Sequence, residues 1–142
     1  MNVIKIAETE NEIERCFPVM SELRPHLRED EFVERVRRQG RRSGFQLVYL
    51  SVDDGVKAVA GIRIAEWLAG GTSLEIEDLV AAGGERSKGY GGQLFDWIVE
   101  YARQNGCDEV KLVSAVTRFA AHRFYLNKRM IIQAHYFSMP LK

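Results

Sequence analysis

Residues 72–106, TSLEIEDLVAAGGERSKGYGGQLFDWIVEYARQNG, read in order as a strand, a glycine-rich turn and an amphipathic helix. Over Thr72–Ala82, Leu74, Ile76 and Val80 alternate with Glu75, Glu77 and Leu79. This period of two predicts a pleated strand with the first three on one side and the second three on the other. The same alternation sets Asp78 on the face opposite Glu75 and Glu77. The turn runs from Gly83 to Gly92 and holds five glycines in ten residues. Leu94, Phe95, Ile98, Tyr101 and Ala102 then recur at helical spacing and make one apolar face. Asn105-Gly106 is a stop signal, because glycine just past a helix takes the left-handed conformation without steric cost.

A glycine-rich turn that opens a helix has a chemical consequence. Several backbone N–H groups lack intrahelical partners there and point at one spot near the positive end of the helix dipole. Glycine keeps side chains out of that spot, and Arg86 and Lys88 add positive charge at its rim. The segment is therefore a candidate cradle for a pyrophosphate. Two familiar phosphate loops are excluded by spelling. Counted from Gly89, the last glycine of a dinucleotide fingerprint would fall on Leu94. A Walker loop needs Lys after its glycine, and Gly89 is followed by Tyr90.

Composition narrows the function classes. The chain has 142 residues, enough for one compact domain (1–142) and too few for two ordinary ones. Hydrophobic residues make up 46% and charged residues 28%, the balance of a globular protein in water. Lys+Arg and Asp+Glu number 20 each, so no global attraction to nucleic acid or to an anionic membrane is expected. The arginines at 35, 37, 38, 41 and 42 follow acidic residues at 29, 30, 31 and 34, which reads as a solvated helix face. Cys16 and Cys107 have no metal-ligand spacing and read as reduced thiols of a cytoplasmic protein. The N-terminus soon meets Glu8, Glu10 and Glu12 and does not read as a signal peptide. No apolar run approaches the roughly 20 residues that span a bilayer.

The remaining elements follow from pattern. Val3–Ala7 reads as a strand. Thr9-Glu10-Asn11-Glu12 is a capping box, and Ile13, Cys16, Phe17, Met20 and Leu23 carry it on as a helix that ends or bends at Pro25. A second helix is expected from about Asp30 to Gln39. Phe45–Val52 and Val56–Leu68 alternate as strands around Asp53-Asp54-Gly55, a strong hairpin signal. Glu109–Ala115 is a short strand, Phe119–Met130 a fourth helix, and Ile131–Met139 one or two closing strands before Pro140. The order β-α-α-β-β-β-α-β-α-β predicts an α/β (α+β) fold, a mixed central sheet with helices on both faces. Residues 72–115 form a strand–helix–strand unit, so its two strands should be parallel and joined by a right-handed crossover.

The strand, the spelling Arg86-x-x-Gly89-x-Gly91 opening a helix, and Ala121-x-x-Phe124-Tyr125 in the next helix resemble the GNAT superfamily of acetyl-CoA-dependent N-acetyltransferases. The resemblance in element order covers essentially the whole chain. It implies the GNAT fold and acetyl-CoA as co-substrate, with the amides from Ser87 through Lys88, Gly89, Tyr90, Gly91 and Gly92 on the diphosphate and Arg86 close by. It also implies that backbone groups of Leu79, Val80 and Ala81 pair with the pantetheine arm like an added strand. An amide at Leu79 or Val80 would face the thioester oxygen as negative charge develops there. Three positions depart from the common pattern: Gly83-Gly84 before the loop, Arg118, and Arg129-Met130 where family members often have Gly-Phe.

The chemistry implied is direct attack of a primary amine of a small molecule or peptide on the thioester in a ternary complex. An ammonium must first lose a proton, and the leaving thiolate benefits from gaining one. Tyr125 matches the family's proton-donating tyrosine. Glu75 and Glu77 share a strand face and lie eleven and nine residues before Arg86, the spacings of two kinds of GNAT carboxylate. Either could take the proton, directly or through water. His26, Arg28, Glu29 and Asp30, between the first two helices, are expected to shape the acceptor pocket. A homodimer through the final strands is common in the family, and nothing points to a metal. A non-catalytic acyl-CoA sensor is the alternative function.

Overall fold

A computed structural model of the chain describes residues 1–142, leaving out the side chains of Arg86 and Ser87. Two compact units are present, Met1–Lys111 and Leu112–Lys142. The first contains β1 (Asn2–Ile6), α1 (Glu10–Leu23), α2 (Glu29–Ser43), β2 (Gln46–Val52), β3 (Gly55–Trp67), β4 (Gly71–Ala81), a 3-10 helix (Gly83–Lys88) and α3 (Tyr90–Gln104). β5 (Glu109–Leu112) ends at the boundary, and α4 (Phe119–Asn127) belongs to the second unit. Among the described residues no helix is long and apolar enough to cross a membrane.

The sheet follows chain order, β1-β2-β3-β4-β5, and β1 to β4 pair antiparallel. Asp53 and Asp54 both adopt positive φ (50° and 69°) in the two-residue turn joining β2 to β3, the twist that tight hairpins need. β5 starts where β4 starts, since the Asp108 amide donates to Thr72 O and Asp108 Oδ2 accepts from the Thr72 amide at 2.8 Å. Beginning at the same end, the two strands run parallel, as the crossover through α3 predicts.

The capping box is formed as expected. Thr9 Oγ1 accepts from the Glu12 amide at 3.1 Å, and Glu12 Oε1 accepts from the Thr9 amide at 3.0 Å. α1 ends at Leu23, two residues before Pro25. α2 outruns the expected Asp30–Gln39 and stops only where Gly44 takes φ 76°. Ile13, Cys16, Val19 and Met20 of α1 and Phe32 and Val36 of α2 form one core with Leu47, Tyr49, Val59 and Val80 of the sheet. Val48 and Leu50 alternate with Leu47 and Tyr49 and are buried on the other face, which α3 covers with Leu94, Phe95, Ile98 and Ala102. Helices therefore lie on both faces of the sheet.

The alternation expected along β4 is broken. Ile62 faces Ile76 in the β3–β4 ladder and Gly61 faces Asp78, so Glu77 is an extra residue, a β-bulge. Val80 pairs with Val59 and Ile76 with Ile62. Val59 and Ile62 are three apart on β3 and face opposite ways, so Val80 and Ile76 do too. A strict period of two would have kept them together. Asp78, opposite Gly61, consequently shares its face with Arg63 and Glu75 rather than standing apart from them.

The last expectations need correcting as well. β5 ends at Leu112 and not Ala115, and α4 at Asn127 and not Met130. The closing strands expected over Ile131–Met139 are absent: residues 131–142 have no regular structure and are exposed throughout. Their strand-like composition finds no ladder within this one chain.

Candidate active site

The 83–92 turn is more ordered than a bare loop. Gly83–Lys88 winds into a 3-10 helix, and Gly89 (φ 78°, ψ 14°) turns it into α3. Gly89 is both the joint and the N-cap of α3, so no capping side chain occupies the first amides of that helix. A Cβ built on Gly89 would meet nothing within 4 Å. Open space above uncapped amides at the positive end of a 15-residue helix suits a diphosphate. Arg86 and Ser87, both expected at this cradle, lie outside the described residues as regards their side chains.

Lys88 is placed at the rim, where Glu85 binds it at 3.1 Å and Lys57 of β3 at 3.3 Å. The Lys88 contact, then the Lys57 contact, lowers the Glu85 carboxyl below its ordinary range, and Glu85 in turn raises Lys88. The turn is tied to α1 through Glu22 Oε1, which accepts from the Gly83 amide at 2.9 Å. Sequence reading missed Glu85 because its two partners, one local and one on β3, carry no shared spacing.

Leu79, Val80 and Ala81 end β4 and lead into this turn. Their inner edge pairs with Ala60, Val59 and Ala58. β5 begins beside Thr72 and lasts four residues. At about 3.3 Å per residue it stops level with the middle of β4. The outer edge of 79–81 therefore extends past the neighbouring strand of the sheet.

Just before that edge, the bulge gathers charge on the face that α1 covers. Arg63 Nε lies 2.7 Å from Glu77 Oε2, Glu75 stands opposite Arg63 in the ladder, and Arg63 sits 6.0 Å over the Phe45 ring. Arg24, the residue closing α1, donates from Nε to Asp78 Oδ1 at 2.7 Å and from Nη2 to Glu77 O at 3.0 Å. Burial raises the Glu77 carboxyl above its ordinary value; Arg63 opposes this while Asp78 and Glu75 add to it. Glu75 and Glu77 are thus brought together as expected, with Asp78, Arg24 and Arg63 beside them. The trace of the bulge in the sequence is that the adjacent pairs Glu77-Asp78 and Leu79-Val80 break the alternation there.

Tyr125 lies on α4 in the second unit. It is half-buried, its ring meets Phe124 edge-on at 5.5 Å, and burial raises its phenol, with Arg118 opposing. Arg129, at the position where the resemblance expects glycine, takes φ 70°, so the left-handed turn persists without the residue that favours it.

The family model described as acetyltransferase (GNAT) family matches residues 6–129. The chain belongs to the GNAT acetyltransferase family. It is 32% identical over 139 residues to YhdJ of Bacillus subtilis strain 168, an N-acetyltransferase itself uncharacterized, covering 97% of this chain and 98% of that one. Solved structures share the GNAT fold. A transcriptional regulator from Bacillus halodurans C-125 superposes with a TM-score of 0.86 at 19% identity, over 99% of this chain and 100% of the other. The aminoglycoside N-acetyltransferase AAC(6')-Iy, solved in complex with CoA, gives 0.83 at 12% identity, over 99% and 95%. The protein is a transferase of the GNAT type, and acetyl-CoA is the co-substrate its family uses.

Proposed function

We propose that this GNAT protein moves the acetyl group of acetyl-CoA onto a primary amine of a small molecule or peptide, by direct attack within a ternary complex. The observation that carries the reading is one continuous run of backbone: the β4 edge at Leu79–Ala81 passing into the uncapped α3 amides behind Gly89. Leu79, Val80 and Ala81 pair with the pantetheine arm, and the amides from Ser87 to Gly92 hold the diphosphate with Arg86 and Lys88. An amide of Leu79 or Val80 donates to the thioester oxygen as the amine adds and charge builds there.

Proton traffic falls to side chains. Glu77, its carboxyl raised by burial, takes the proton of the incoming ammonium, directly or through water, and Glu75 beside it draws the cation in. Tyr125 returns a proton to the departing thiolate; a phenol raised by burial stays protonated at neutral pH and is able to donate. Residues 1–142 act as one domain, which the family match across both units supports. We place the protein in the cytoplasm, consistent with its free thiols at Cys16 and Cys107. It works as a homodimer whose contact includes the exposed residues after Met130.

The test is isothermal titration with acetyl-CoA beside a thiol-release assay over a panel of amines. Binding is expected in the wild type, with CoA released in the presence of at least one amine and both lost in Gly89→Glu. Equal affinity in that variant overturns the placement of the diphosphate. Binding without thiol release from any amine favours an acyl-CoA sensor.

A further inference from the structure

We infer that Arg24, at the C-terminal end of α1, is a positioning residue for the acetyl-transfer site, holding the β4 bulge so that Glu77 stays aimed and Asp78 stays neutralised. The inference rests on the proposed role of Glu77 and adds a residue on a different element that controls it.

Glu77 is the residue the β3–β4 ladder skips, so its carbonyl has to find a partner elsewhere. Arg24 Nη2 supplies one at 3.0 Å, while Nε of the same guanidinium binds Asp78 Oδ1 at 2.7 Å. The fork grips two consecutive residues at once, one by backbone and one by side chain. A lysine, with a single point of charge, cannot span both. Arg24 is itself anchored, since its amide donates to Met20 O at 2.9 Å where α1 stops. Its partner is well enclosed: the Asp78 side chain is 14% exposed.

The opposite strand is shaped around this grip. A Cβ at Gly61 would overlap Asp78 Oδ2 and the Phe45 ring. Phe45 in turn lies beneath Arg63, the ion-pair partner of Glu77. The groups facing Glu77 are therefore Arg63 from β3, Glu75 and Asp78 from β4, and Arg24 from α1. Without Arg24, Asp78 becomes an uncompensated negative charge next to Glu77, and the bulge loses the donor that fixes its carbonyl.

A plain staple between α1 and β4 would contribute stability and nothing more. The two roles separate in a carboxylate titration of Glu77 by carbon-13 NMR, in the full chain without substrate, for the wild type, Arg24→Ala, Arg24→Lys and Asp78→Asn. In Arg24→Ala the Glu77 midpoint is expected to rise by roughly 0.5–1 pH unit, as a like charge is unmasked. Asp78→Asn should lower it, and Arg24→Lys should return it toward the wild-type value. The acid limb of thiol release moves with the midpoint, while Arg24→Lys recovers the pH profile but not the full kcat. Wild-type midpoints in Arg24→Ala and Asp78→Asn, whatever the change in melting temperature, overturn the inference. If Arg24→Ala does not fold, the Glu77 midpoint in Asp78→Asn and the kcat of Arg24→Lys decide it: a wild-type midpoint in the first with full kcat in the second overturns the inference. Full thiol release by Glu77→Gln would remove Glu77 as the base, a separate failure that the NMR midpoints do not share.

Discussion

Arg129 takes φ 70° just beyond α4, a conformation that costs an L-residue about 1–2 kcal/mol and glycine almost nothing. Part of any gain from glycine is returned as extra freedom of the unfolded chain. Arg129→Gly should therefore raise stability by up to about 1 kcal/mol, read as a higher urea midpoint at unchanged slope. Glu12 offers the opposite case. Its carboxylate closes the capping box, pairs with Lys5 and accepts from Tyr49 Oη at 3.2 Å. The Lys5 contact first, then the amides of Thr9 and Glu8, hold its carboxyl well below the usual range. A depressed carboxyl stabilises the fold above its unfolded pKa of about 4.3, and that contribution is lost as pH falls through the folded value. Glu12→Gln should cost about 1–2 kcal/mol near neutral pH, with the deficit shrinking in acid when urea melts are repeated down the pH scale. The capping box was legible from Thr9 and Glu12 alone because both its bonds span three residues. The Lys5 and Tyr49 contacts reach across elements, and no local pattern announces them.

At the scale of elements, what could be read was whatever one segment decides by itself. The hairpin at Asp53-Asp54-Gly55, the helix opened by Gly89 and the end of α1 before Pro25 are all set within a few residues. β4 shows where that stops. Its polar and apolar residues alternate from Ser73 to Glu77, and there the bulge turns Ile76 and Val80 to opposite faces and brings Asp78 round to Glu75 and Arg63. The cause is a fit between two strands and a helix: Gly61 leaves the room and Arg24 supplies the donor. Glu75 and Glu77 could be foreseen as a pair, whereas the two arginines that answer them could not. Gly61→Ala tests this fit directly. Its added methyl must displace Asp78 or the buried Phe45 ring, so a loss of about 1–3 kcal/mol is expected by urea denaturation. A loss of acetyl-CoA affinity should accompany it if the ring and carboxylate move the bulge. A variant as stable as the wild type would show that the ring yields freely and that Gly61 is not what sets the bulge.

At the scale of the whole molecule, the C-terminal segment is the part that the chain's own packing leaves unexplained. Ile131, Ile132, Tyr136, Phe137, Met139 and Leu141 are each more than 70% exposed, and residues 131–142 join no helix or strand. Scattered apolar side chains on a surface are ordinary, but six within eleven residues make a patch of the kind that marks an interface. The composition is that of a strand, and a strand of this kind left unpaired is a template for another chain. The sequence shows the strand pattern over Ile131–Met139; pattern alone says what a segment can pair with and not which molecule supplies the pair. The economical partner is a second copy, because a twofold contact buries the segment of both chains together. Sedimentation equilibrium or light scattering at micromolar concentration should give twice the 16.2 kDa chain mass. Truncation after Met130 should return a monomer whose far-ultraviolet spectrum keeps the helices of residues 1–130. A full-length chain that stays monomeric across that range rules out the second copy, and a truncated chain that stays dimeric moves the contact elsewhere on the surface.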